Sequence, residues 1–305
     1  MRLRRLLMVA VLLLWQGAAD ASCDIQERTN VAFTATAGHL LMPLAVNGIA
    51  ANFVLDTGAE RSMVTPQAVR RLNLALDQWV GTTMRGVGGV VEHPNANPRS
   101  LTLGGVALQR RTVNHDTSLT VGALRDIAAD VPIDGLLGRD FLSLFDLQLD
   151  MVARRLTLYQ VQGCGGRFLP WTQPYAAVPA SGPLTRAPIL PITLDGHSLH
   201  ALLDTGASGT MITLSGQIRL GLNEAALAGD RGAALSGVGR QRPEGHRHRF
   251  ASLQVGNETV RDPVLWVAPV RVVPFVDALL GADWLAVQSR VWISFTTGQV
   301  FFAAK

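Results

Sequence analysis

Short apolar runs separated by Gly, Pro, Asn and Asp recur along most of the chain, a pattern that predicts strands and tight turns rather than long helices. Leu40–Val46 and Ile189–Leu194 are strand-length runs, and each leads into a dipeptide suited to a two-residue hairpin, Asn47-Gly48 or Asp195-Gly196. The strand after each turn ends in an apolar triplet, Phe53-Val54-Leu55 or Ala201-Leu202-Leu203, and then meets an acid. Thr65-Pro66 predicts a helix start, with Thr as the cap and Pro at the first helical position, and the helix should run to about Leu72. Leu147–Leu158 and Val291–Phe302 predict closing pairs of strands. One apolar run differs from the rest. Leu6 to Trp15 follows Arg2, Arg4 and Arg5, precedes Ala19-Asp20-Ala21, and is too short to span a bilayer as a helix. It reads as a secretory signal peptide cut before Ser22, with an uncleaved anchor as the alternative.

The acids begin a repeated tetrapeptide, Asp56-Thr57-Gly58-Ala59 and Asp204-Thr205-Gly206-Ala207. One Asp-Thr-Gly is weak evidence, since an Asp capping its own turn explains it. Two copies inside a longer repeat are stronger. Residues 41–74 align with 189–222 without a gap at an offset of 148 (204 − 56), so that Pro43 falls on Pro191, Met63 on Met211 and Arg71 on Arg219. Gly86-Val87-Gly88 recurs as Gly237-Val238-Gly239, and Asp134-Gly135-Leu136-Leu137-Gly138-Arg139-Asp140 as Asp277-Ala278-Leu279-Leu280-Gly281-Ala282-Asp283. Three motifs in the same order make the chain a tandem duplication.

On these motifs the sequence resembles the retropepsin-like aspartic peptidases, in the bacterial single-chain form with two catalytic halves. The resemblance covers most of residues 31–160 and 189–305. It implies a mainly β fold of two lobes related by a pseudo-twofold axis, with a cleft between them. It implies an endopeptidase in which Asp56 and Asp204 share one proton and activate a water molecule. Gly58 and Gly206 would permit close approach and donate N–H groups. Thr57 and Thr205 would cross-link the two loops. Ala59 and Ala207 stand where pepsin-type enzymes often carry a hydroxyl, so the pair should titrate higher than in a gastric-type enzyme. The two Gly-rich segments, Gly86-Val87-Gly88 and Gly237-Val238-Gly239, are expected to be substrate-covering flaps. Glu60 and Arg139 occur together in the first half, whereas Ser208 and Ala282 replace them in the second, which suggests an ion pair bracing the first loop.

Charge changes the picture little. The formal net charge of +4 falls to +2 once residues 1–21, with three Arg and one Asp, are removed, so nothing argues for nucleic acid as a partner. No metal-ligand spacing and no cofactor motif is present. The two cysteines, Cys23 and Cys164, predict a disulfide in an exported chain, whose long loop would contribute on the order of 4–5 kcal/mol in chain-entropy terms. Lipidation of Cys23 is the alternative, although Asp20-Ala21-Ser22 lacks the apolar residue that modification needs. The expected organisation is a signal peptide at 1–21, a first lobe at 22–160, a Gly/Pro-rich linker at 161–188 and a second lobe at 189–305. The product would be a periplasmic or secreted monomer without stable membrane insertion that acts on peptide or protein substrates. Two other readings are a non-catalytic peptide-binding protein of the same fold and an enzyme active only as a homodimer of like halves.

Overall fold

The computed structural model describes residues 22–108, 117–124, 131–180, 187–237, 241–272 and 275–304. The expected signal peptide, at 1–21, lies outside the described residues. The fold is mainly β, with two similar lobes. In the first, His39–Val46 pairs antiparallel with Ile49–Leu55, and in the second Ile189–Leu194 pairs with His197–Leu203. Both hairpin turns need two consecutive positive φ angles. Asn47 and Gly48 supply 53° and 78°, and Asp195 and Gly196 supply 48° and 80°. The predicted helix follows at Pro66–Arg71, where Thr65 Oγ1 accepts from Ala68 N at 3.1 Å. Its counterpart is Leu214–Leu220, capped by Thr213 and ended by Gly221 at φ 67°.

Each lobe then threads its Leu-Leu-Gly segment beside the strand that carries the acid. Gly135–Leu137 runs parallel to Ile49–Leu55, with Leu137 opposite Leu55. Ala278–Leu280 runs parallel to His197–Leu203, with Leu280 opposite Leu203. The chain therefore leaves both strands at the same level. The Asp56 N–H donates to Leu137 O at 3.0 Å and the Asp204 N–H to Leu280 O at 2.9 Å.

A six-stranded sheet fuses the halves. Its order is Asp24–Ala32, Arg155–Gln162, Asp146–Asp150, Arg290–Ser294, Gln299–Ala303, Tyr175–Pro179. The two closing hairpins expected from the sequence meet at its centre, where Leu149 faces Val291. The outer strands were not expected. Asp24–Ala32 is mostly exposed, with no apolar alternation to mark it. Tyr175–Pro179 lies inside the Gly/Pro-rich junction, which is thus part of the sheet and more than a linker. The junction also covers one face of the sheet. Trp292 is fully buried, stacks on Tyr159 at 4.4 Å, and meets Phe168 and Trp171 edge-on at 6.2 and 6.4 Å. A disulfide between Cys23 and Cys164 ties the first strand to the start of that covering segment. Among the described residues no helix is long and apolar enough to cross a membrane.

This sheet is the main covalent-free link between lobes, so its aromatic layer should control global stability. Trp292→Ala is expected to cost about 3–5 kcal/mol in urea unfolding, the range for deleting a large buried aromatic. A loss below about 1 kcal/mol would show that the layer is peripheral.

Candidate active site

The two Asp-Thr-Gly loops meet between the lobes. Each glycine lies against the acid of the other loop. A Cβ at Gly58 would fall on the Asp204 carboxylate, and one at Gly206 on the Asp56 carboxylate. Any side chain at either position would push the acids apart, so the close approach itself requires glycine. Asp56 Oδ1 accepts from Ala59 N at 2.8 Å, while Asp204 Oδ1 accepts from Gly206 N and Ala207 N at 3.0 Å each.

Beneath the acids the threonines lock the loops together. Thr57 Oγ1 donates to Leu203 O at 2.6 Å and accepts from Thr205 N at 3.1 Å. Thr205 Oγ1 donates to Leu55 O at 2.7 Å and accepts from Thr57 N at 3.0 Å. Each hydroxyl thus spans from its own lobe to two backbone groups of the other. Both threonines are fully buried, so each bond is expensive to leave unmade.

A second tier of acids, drawn from the recurring segments that contain Leu-Leu-Gly, braces the loops from behind. Asp140 accepts from Ser62 N at 2.9 Å and Ser62 Oγ at 2.6 Å, and Ser62 Oγ in turn accepts from Gly138 N at 2.8 Å. Asp283, Thr210 and Gly281 repeat the arrangement at 2.9, 2.7 and 3.1 Å. Farther out, Arg71 pairs with Asp134 at 2.7 Å and Arg219 with Asp277 at 2.9 Å. Recurrence in the duplication was the signal that could have found Ser62 and Thr210, which share the offset of the catalytic motifs.

The halves differ behind the acids. Arg139 is buried, and its Nη1 donates to Thr57 O and Gly58 O, both at 2.7 Å. The first loop is therefore held through its carbonyl groups, and the exposed Glu60 adds a coulombic contribution to the guanidinium. The second loop, with Ala282 at the matching position, is approached instead from the other lobe. His39 engages the Gly206 backbone, and Gly38 packs on Ser208.

The segments expected to be flaps touch where both are described. The first is the tip of a long hairpin, Ala75–Gly86 with Gly89–Asn97, in which Gly86 faces Gly89 across Val87-Gly88. Gln241 N donates to Gly88 O at 3.0 Å, and Gly237 packs against Val87. Val87 crosses to the second lobe and joins an apolar cluster with Leu235, Met211, Trp266 and Ala207. Val238 and Gly239, the rest of the second expected flap, lie outside the described residues. Among the described residues, no group of three or more His, Cys, Asp or Glu is placed to hold a metal ion.

Burial and then repulsion by Asp204 push the Asp56 carboxyl up to about 8. Burial also raises Asp204, against the opposing amides of Ala207 and Gly206. The pair titrates as a unit, and it keeps a proton well above the ordinary carboxylate range. The sign for stability follows. The unfolded acid releases its proton near 3.8 and the native one near 8, so between these values rising pH favours unfolding. Asp56→Asn removes that penalty. Its melting temperature relative to the parent should therefore climb from pH 4 to pH 8, whereas a difference independent of pH would contradict the shift.

Comparison with known proteins bears on both halves. A family model described as Aspartyl protease matches residues 42–141 and 190–284. The solved structure of an aspartic proteinase from Irpex lacteus superposes with a TM-score of 0.53 over 92% of this chain and 98% of its own, at 12% identity, which speaks for the fold alone. No curated protein matches the sequence.

Proposed function

Since the chain belongs to the aspartyl protease family, we propose that it is an endopeptidase in which Asp56 and Asp204 activate water against a peptide carbonyl. The observation that supports this most is the mutual approach of the two acids, each seated against the other's glycine. A binding module has no use for that costly juxtaposition. In the proposed reaction the ionised carboxylate takes a proton from the water as its oxygen bonds to the carbonyl carbon. The protonated carboxyl gives its proton to the carbonyl oxygen, so a neutral tetrahedral diol forms. The carboxyl that took the water proton then gives it to the amide nitrogen, while the other carboxylate takes a proton from a diol hydroxyl. The C–N bond breaks to leave a carboxyl and an amine, and the pair regains its shared proton. Thr57 and Thr205 hold the acids in register, Gly58, Ala59, Gly206 and Ala207 supply the backbone around them, and the Val87 flap covers the cleft.

One chain contributes both acids, both threonines and the flap, which favours a monomer as the active unit. The disulfide suits an oxidising compartment, so we place the enzyme in the periplasm or outside the cell.

Asp56→Asn and Asp204→Asn should each lower peptide hydrolysis by at least about a hundredfold, with the fold retained by circular dichroism. Mixing the two variants should restore nothing, because every cleft lacks one acid. Near-full activity in either variant, or recovery on mixing, would overturn the reading. The rate should be sustained from mildly acidic to near-neutral pH and fall as the pH passes about 8, where the pair loses its shared proton. A maximum near pH 2 would be incompatible with that.

A further inference from the structure

The duplication gives each lobe a matching wall beside its acid, and the two walls differ in chemistry. At the position three residues after the loop glycine the first lobe has Arg61, and the second has Gly209. In the strand that runs parallel to the following segment, Met63 is paired with Thr120, whereas Met211 is paired with Trp266. The second-lobe wall is thus apolar. Trp266 lies over Gly209 and joins the cluster that receives the flap residue Val87.

The first-lobe wall is a set of donors. Arg61 is half-buried, and its Nη2 donates to Ser118 Oγ at 3.4 Å. Its Nε is buried without a partner, and so is Thr120 Oγ1. Ser118 immediately precedes the strand Leu119–Val121, and Thr120 within that strand is fully buried. No carboxylate pairs with Arg61 among the described residues. Arg71, Arg219 and Arg290 all have one, and Arg139 has two carbonyl oxygens. A guanidinium drawn out of water without an acceptor is unfavourable unless something else supplies one. Glu60, its exposed neighbour in sequence, forms no ion pair with it.

We infer that Arg61, with Ser118, recognises a carboxylate of the substrate on the first-lobe side of the cleft, while the Trp266 wall takes an apolar side chain on the other. Arg61 is then a specificity-determining residue. A guanidinium matches a carboxylate through two parallel N–H donors, and the Ser118 hydroxyl can donate to the same group. The carboxylate has two sources, an internal Asp or Glu side chain or a free C-terminus. The inference rests on the peptidase reading.

Two readouts keep the two ideas separable. The first is binding of peptides to the Asp56→Asn, Asp204→Asn double variant. The second is cleavage of the same peptides by the unaltered protein. The peptides carry Glu, Gln, Leu or Lys at each position in turn, and each is made with a free or an amidated C-terminus. Glu should be preferred over Gln by about tenfold or more at one position, as expected for charge-assisted hydrogen bonds. Arg61→Gln should bring that ratio close to one, and Arg61→Glu should shift the preference to Lys. If only the free C-terminus confers the advantage, the carboxylate is terminal. Equal binding of the acidic and neutral peptides, free or amidated, overturns the role of Arg61 even if both are cleaved. A binding preference without cleavage overturns the peptidase reading and leaves Arg61 its role.

Discussion

Two carboxylates buried against each other lose water and repel, and the surrounding structure opposes that cost at every level. Glycine at 58 and 206 creates the room for the contact. Backbone amides of Ala59, Gly206 and Ala207 compensate part of the charge. Arg139 adds a positive field from behind the first loop, lowering both acids against the larger effect of burial. What remains is a retained proton, held well above the ordinary carboxylate range.

Holding the acids in place needs rigidity across the seam between lobes. The threonine lock supplies it locally, because each hydroxyl satisfies two backbone groups of the opposite loop. The six-stranded sheet supplies it globally by placing strands of both halves edge to edge under a buried aromatic layer. The lobes cannot separate without breaking the Asp146–Asp150 ladder to Arg290–Ser294. Above the lock and the sheet, Gln241 N donates to Gly88 O and Val87 packs on the apolar cluster of the second lobe.

Local chemistry made much of this legible in the sequence. Asn47-Gly48 and Asp195-Gly196 specify hairpins because few other residue pairs accept two positive φ angles. Thr65-Pro66 marks a helix start for an equally local reason. The positions of Asp56 and Asp204 stood out because the duplication repeats them. Partner choice was not legible. Asp24–Ala32 and Tyr175–Pro179 become strands only because edges of a sheet await them, and neither carries its own periodic signal. Arg139 was visible as a charge, yet its acceptors are carbonyl oxygens, which every residue possesses. The same holds for Gln241, whose contact uses only its backbone.

The shared proton is the centre of the account, and carbon-13 NMR of the aspartate carboxyl carbons follows it directly. Spectra of the parent and of the Asp56→Asn and Asp204→Asn variants assign the pair. The account predicts two coupled steps for Asp56 and Asp204, the upper near pH 8, with the lower also above the ordinary carboxylate range. Independent ionisation of both residues near pH 4 would contradict it.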